Sequence, residues 1–298
     1  MKPDWIAVDW GTSNARFWAI SADGSVLDER KSDKGMGQLN PSEFEAVLLN
    51  IAGDWLSVTS HVVTCGMVGS RQGWVEAPYQ TTPCAVCPST MVKAPTTHPG
   101  LIVHVIPGIR QTDPADVMRG EETQITGFLA QNPGWDGVIC LPGTHTKWVH
   151  ISANEIISFQ TFMTGELFAL LADQSVLRHS IAGSGWDNDA FTNAMSQTLS
   201  RPESLAARLF SLRAAQLVHD TDTVTLRANL SGLLIGAELA AAKPYWLGQN
   251  VALIGADAVS APYISGLAKL GVQATRVDSL EMTLAGIKAA HALLEVIN

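Results

Sequence analysis

The sequence is poor in cysteine, in basic charge and in long apolar runs. Four cysteines in 298 residues are too few for the disulfide framework of a small secreted domain, so the thiols are expected to be reduced and the chain cytoplasmic. Nineteen Lys and Arg stand against 28 Asp and Glu, a net charge of −9. That balance argues against a general attraction to nucleic acid or to anionic lipid. No apolar stretch approaches the roughly 18 residues of a membrane span, and the first apolar run, Ile6-Ala7-Val8, is interrupted by Asp9, so neither a membrane segment nor a signal peptide is expected. Neither G-x-G-x-x-G nor G-x-x-x-x-G-K-[ST] occurs, which disfavours the dinucleotide and P-loop folds. The single CxxC, Cys84 to Cys87, sits between Pro83 and Pro88, and a zinc site would need two more well-placed ligands.

What is present is a globular composition, 46% hydrophobic against 16% charged, with enough length for two domains. Ile6–Trp10 reads as a strand, Gly11–Asn14 as a turn and Ala15–Ile20 as a returning strand, with Asp23-Gly24 turning the chain again before Val26-Leu27. Ser42 and Glu45 have capping-box spacing ahead of an amphipathic helix through Val47, Leu48, Ile51 and Trp55. Strands at 62–65 and 101–106 flank a Pro-rich loop, and a helical pattern after Asp116 runs to Asn132-Pro133-Gly134. That punctuation predicts domains at 1–133 and 134–298, with the last helix, about 280–297, able to pack back on the first.

The second half then repeats the opening. A strand at 137–142, a turn at Gly143-Thr144-His145-Thr146 and a strand at 147–151 follow, and Gly143-Thr144 lies 132 positions after Gly11-Thr12. The shared order suggests a duplicated domain. Beyond residue 165 helices are expected around 165–178, 187–199, 203–218 and 229–242, then strands at 251–254 and 272–277 and a final helix to Ile297. Strands first and helices later suggest two α/β halves with mixed sheets.

Two hairpin turns rich in glycine and hydroxyl residues, one per half, suit a phosphate chain. Backbone N–H groups at Gly11, Thr12, Ser13, Asn14, Gly143 and Thr144, and the hydroxyls of Thr12, Ser13, Thr144 and Thr146, can donate to phosphate oxygens. Asp9 would hold Mg²⁺ through water, because that ion dehydrates reluctantly. Lys147 could neutralise a phosphate.

Val8-Asp9-Trp10-Gly11-Thr12-Ser13-Asn14-Ala15-Arg16 resembles the first phosphate motif of the superfamily that joins sugar kinases, heat-shock chaperones and actin, and Leu141–Trp148 resembles the second. The wording is similar to the 2-dehydro-3-deoxygalactonokinase family, with further matches at 65–71, 118–124 and 162–166. The resemblance spans the chain. It implies two ribonuclease H-like domains of actin/sugar-kinase type with an interdomain ATP cleft. It also implies phosphorylation by ATP and Mg²⁺ of the 6-hydroxyl of 2-dehydro-3-deoxy-galactonate, in galactonate breakdown. The adenosine motif would fall at Gly255-Ala256, where one glycine stands in place of the usual pair.

In similar kinases the base that takes the hydroxyl proton is an Asp before the interdomain helix. Asp116 occupies that place, with Asp113 and Glu121 as alternatives. A sugar acid brings a carboxylate, so Arg16, Arg71, Arg110 and Arg119 are candidate partners. The expected partner is thus a small sugar acid, without nucleic acid or membrane, and a homodimer is left open. Alternatives are another acceptor, such as the gluconate epimer, or a nucleotide sensor that transfers no phosphate.

Overall fold

The computed structural model describes residues 2–88 and 90–297. The chain divides into two compact units, one of Met1–Trp135, Ser152–Ser158 and Ser279–Asn298, the other of Asp136–Ile151 and Phe159–Asp278.

The first unit contains β1 (Trp5–Trp10), β2 (Ala15–Ile20), β3 (Val26–Ser32), α1 (Phe44–Ala52), β4 (Ser60–Gly66), β5 (Gln80–Thr81), β6 (Cys84–Ala85), β7 (Val92–Lys93), β8 (Leu101–Val105), β9 (Ile109–Thr112), β10 (Ala115–Met118) and α2 (Glu121–Gln131). Its main sheet has the order β3-β2-β1-β4-β8-β7. The pairs β1–β2 and β2–β3 are antiparallel, whereas β1–β4 and β4–β8 are parallel. Alternation along β1 explains the residues there: Ile6, Val8 and Trp10 enter one buried cluster, and Trp5 and Ala7 enter another. A strand buried on both faces needs a nearly unbroken apolar run, and Asp9 alone interrupts it.

The second unit continues with β11 (Gly137–Leu141), β12 (Thr146–Ser152), the later half of β13 (Glu155–Phe162), α3 (Thr164–Asp173), α4 (Asn188–Ser200), α5 (Leu205–His219), α6 (Thr223–Ala241), α7 (Lys243–Trp246), β14 (Val251–Ile254), α8 (Asp257–Lys269) and β15 (Ala274–Val277). Five of its strands lie in the order β15-β14-β11-β12-β13. Here too the hairpin β11–β12 is antiparallel and β11–β14 and β14–β15 are parallel. The order seen in the first sheet is thus repeated, so both halves are α/β with mixed sheets. The final helix α9 (Ser279–Ile297) belongs to the first unit, where Ile287 and Ala290 cover the β1 face that carries Trp5 and Ala7.

Three local expectations are corrected. Ser42 and Glu45 do not close a capping box: α1 starts at Phe44, and Glu45 accepts hydrogen bonds from the backbone of Thr97 and His98. The pattern after Asp116 remains a strand through Met118. Alternate burial in β9, with Ile109 and Gln111 in and Arg110 and Thr112 out, pairs it with β10, and α2 begins only after Gly120 at φ 109°. Helix α8 was not foreseen, because Pro262 lies inside it and proline usually ends a helix.

Candidate active site

The first turn closes with the Gly11 N–H donating to the Asn14 carbonyl at 2.9 Å. It is braced from behind. Met36 and Gly37 donate to the carbonyls of Gly11 and Thr12, and Trp10 Nε1 donates to the Lys34 carbonyl at 2.9 Å. A side chain at Gly35 would collide with the backbone of Thr12, Ser13 and Asn14, so only glycine lets the brace approach. Thr12, Ser13 and Asn14 remain exposed. They line a cavity of about 580 Å³ together with Asp9, Gly11, Ala15, Arg16, Lys31, Ser32 and Asp33.

Across the strands Asp9 faces Arg16 and Arg16 faces Lys31. Residues opposite one another share a face, so one carboxylate and two cations stand in a row beside the turn. Burial raises the Asp9 carboxyl above its ordinary range, while the Arg16 charge and a hydrogen bond from Cys65 Sγ at 3.8 Å pull it down. The thiol of Cys65 is pushed well up by burial and by the Asp9 charge. Lys31 went unnoticed in the sequence. The signal available was the alternation of β3, which puts it beside Arg16.

In the second turn Gly143 and Thr144, which lead into β12, lie against the start of α3 at Gly165. Glu166 donates its N–H to the Thr144 carbonyl at 2.9 Å, and its carboxylate meets His145 Nε2 at 2.6 Å. Lys147 is buried, with Nζ 3.4 Å from the His145 carbonyl. Thr146 is fully buried and its hydroxyl is 3.0 Å from Tyr263 Oη. It belongs to a network around Glu238 of α6, which accepts from Trp148 Nε1 at 2.8 Å, Tyr263 Oη at 2.8 Å and the Thr164 hydroxyl. Burial raises the Glu238 carboxyl, and those donors partly offset it. One carboxylate therefore ties β12, α3 and α8 together.

Above Thr164 and Tyr263 lies a cavity of about 510 Å³ lined by Gly143, Phe168, Trp186, Arg227, Val259 and Pro262 among others. Trp186 is 47% exposed, and the Arg227 guanidinium lies over Phe168 at 4.9 Å. Gly255 and Ala256 lie between β14 and α8 and are not among the cavity's lining residues, to which α8 contributes Ala258, Val259, Pro262 and Tyr263. Trp186 and Arg227 were also missed, since neither stands in a motif.

Asp116 is half-buried on β10, opposite Gln111, and its Oδ1 accepts from the Val117 N–H at 2.7 Å. A role as helix cap is thereby removed. Asp113 is exposed, and Glu121 accepts from the Arg119 N–H at 3.1 Å. Next to it Glu122 is fully buried, bonded to the Gly120 N–H at 2.7 Å and the Thr123 hydroxyl at 3.0 Å. Burial and the neighbouring Glu121 charge push its carboxyl up to about 8.

The four arginines differ. Arg16 is 3.5 Å from Glu29, Arg71 is exposed and 3.4 Å from Glu76, and exposed Arg110 donates to the Thr81 hydroxyl at 2.9 Å. Arg119 is half-buried over the Tyr79 ring at 4.3 Å. Among the described residues no group of three or more His, Cys, Asp or Glu could hold a metal ion, and no helix is long and apolar enough to cross a membrane.

The "Probable 2-dehydro-3-deoxygalactonokinase" of Rhizobium meliloti is 39% identical over 296 residues, covering 96% of each chain. The 2-dehydro-3-deoxygalactonokinase of Escherichia coli is 36% identical over 98% of this chain and 99% of its own. The crystal structure of a related protein from Sinorhizobium meliloti superposes with a TM-score of 0.91 at 38% identity, over 97% of this chain and 99% of that one. A likeness in fold alone extends to the activator of the 2-hydroxyisocaproyl-CoA dehydratase from Clostridium difficile, with a TM-score of 0.53 at 12% identity. The model of the 2-keto-3-deoxy-galactonokinase family matches residues 9–290, and the chain belongs to that family.

Proposed function

We propose that the protein transfers the γ-phosphoryl group of ATP to the 6-hydroxyl of 2-dehydro-3-deoxy-galactonate, yielding the 6-phosphate and ADP, as a step of galactonate breakdown. The carrying observation is the repeat: two sheets of one strand order, each presenting a glycine and hydroxyl turn after its first strand. Family membership supplies the acceptor. In this reading each unit is a ribonuclease H-like domain, which the matching strand order supports.

Phosphoryl transfer asks a protein mainly for alignment and charge neutralisation. The Gly11–Asn14 turn offers N–H and hydroxyl donors to phosphate oxygens, and Gly143 and Thr144 do the same in the second unit. Arg16 and Lys31 supply positive charge beside the first turn. The cavity walled by Trp186, Phe168, Arg227 and Val259 takes the adenine, whose flat face suits an aromatic and guanidinium lining. Lys147, anchored at the base of its turn, adds charge from below.

The cavity beside Asp9 also carries the side-chain oxygens of Thr12, Ser13, Asn14, Ser32 and Asp33, hard donors of the kind Mg²⁺ and its bound water prefer, so the site fits that ion. Asp9 would hold the ion through water, and the ion would supply positive charge to the phosphates. Asp116 accepts the proton of the sugar hydroxyl as the phosphoryl group arrives.

The deciding experiment is ADP release by purified protein with ATP and Mg²⁺, comparing the galactonate-derived acid, its gluconate epimer and no sugar. Turnover that requires the galactonate-derived acid supports the reading. Equal turnover on the epimer would broaden the acceptor, and no sugar-dependent turnover would remove the kinase assignment.

A further inference from the structure

We propose that Arg119, with Ser70, is the anchor for the carboxylate and 2-oxo group of the sugar acid; this rests on the acceptor assigned above. The observation is an imbalance of hydrogen bonds. Arg119 Nη2 donates to the Ala77 carbonyl at 2.9 Å, but Nε and Nη1 are buried and have no partner, and neither has the buried hydroxyl of Ser70. A guanidinium stays charged at any physiological pH. Holding its N–H groups away from water without acceptors is costly, and buried polar groups are nearly always paired.

The surroundings are built for this arrangement. The guanidinium lies over the Tyr79 ring at 4.3 Å, which fixes its plane. A Cβ at Gly69 would come within 2.8 Å of Nη1, so glycine at that position makes room for it. Ser70 follows directly in the chain. The two guanidinium nitrogens can only donate and the Ser70 hydroxyl can donate as well, which selects a ligand rich in acceptors, and a planar carboxylate beside a keto oxygen matches a fork of N–H groups plus a hydroxyl.

The place is right as well. Gly120, next to Arg119, stands with its missing Cβ 3.7 Å from Gly66 Cα, and Gly66 closes β4 with its own Cβ position 3.4 Å from Asp9 Oδ1. The anchor therefore borders the strand end that carries Asp9. The other three arginines already have acceptors, in Glu29, Glu76 and Thr81.

The test compares 2-dehydro-3-deoxy-galactonate with its carboxamide, in wild type, Arg119→Lys, Arg119→Ala and Ser70→Ala. Binding is measured by calorimetry without nucleotide and turnover by ADP release. Wild type should favour the acid about 100-fold, the scale of a desolvated charge pair. Arg119→Ala should lose that factor on the acid, mainly in KM, while its amide values stay near wild type. Arg119→Lys should fall between, and Ser70→Ala should lose about 10-fold on both ligands through the keto oxygen. A wild-type acid-to-amide ratio preserved in Arg119→Lys and Arg119→Ala would overturn the anchor, as would a wild type that binds both ligands alike. If Arg119→Ala does not fold, the ratio in Arg119→Lys decides. Preferential binding of the acid by wild type, lost in the variants but without phosphate transfer, would keep the anchor and remove the kinase assignment instead.

Discussion

Asp116 sits on a strand, half-buried, with one carboxylate oxygen engaged by its own neighbour's N–H, so its side chain is oriented before any substrate arrives. Asp116→Asn keeps the shape and removes the basicity. The expected outcome is a fall in kcat of about 10² to 10⁴-fold with an unchanged urea midpoint. A fall under 10-fold would move the base to Asp113 or Glu121. Glu122 permits a separate prediction at the same scale. Its folded pKa, near 8, lies above the unfolded value of 4.5, so its stabilising contribution is complete below about pH 4.5 and is lost as the pH rises through 8. Each unit of separation is worth about 1.4 kcal/mol. Glu122→Gln, which keeps an acceptor for the Gly120 N–H, should gain stability relative to wild type between pH 5.5 and pH 8.5. Urea unfolding at the two pH values checks it; the raised carboxyls of Asp9 and Glu238 are common to both proteins and cancel in the difference. The sequence could offer four arginines and three carboxylates here, but not choose among them. Which arginine keeps unpaired donors depends on Tyr79, Ala77 and Gly69, and these come from other segments of the chain.

At the scale of elements, α2 and α9 approach so closely that a Cβ at Gly127 would strike the Met282 carbonyl and one at Gly286 the Thr123 carbonyl. Backbone cannot yield as a flexible side chain can. Gly127→Ala or Gly286→Ala should cost about 3 kcal/mol or more, at the upper end of overpacking in a core, read from denaturant midpoints. The brace behind the first turn gives a functional counterpart. Gly35→Ala must displace the backbone of Thr12 to Asn14, so the KM for ATP should rise about 10-fold or more with the sugar KM little changed. The β1–β2 and β11–β12 hairpins, the strands β4, β8 and β14 and the last helix were legible, because alternation, short apolar runs and helical spacing are local signals. The β9–β10 hairpin and α8 were not. In the first, four-residue strands carry too short a pattern to outweigh the helix that follows, and in the second Pro262 gave a stop signal that the packed helix overrides.

For the whole molecule, a ligand that binds only the folded state raises its stability by mass action. ADP with Mg²⁺ at 100 times its Kd should add about 2.7 kcal/mol, seen as a higher thermal midpoint. Arg227→Ala, which strips the guanidinium from the second-unit cavity, should lose most of that gain at the same concentration. By itself the sequence determined the α/β class, the duplicated strand-turn-strand openings and the two glycine and hydroxyl turns, since each is written in contiguous residues whose spacing and glycines act locally. Tertiary structure decided the rest. Lys31 joins Arg16 and Asp9 only because three strands align in register, Trp186 and Arg227 come to line one cavity only through tertiary packing, and Thr146 turns inward to Tyr263 because its strand is buried. The unpaired donors of Arg119 exist only once Ala77, Tyr79 and Gly69 close around it, for burial is a property of the folded chain and not of any segment.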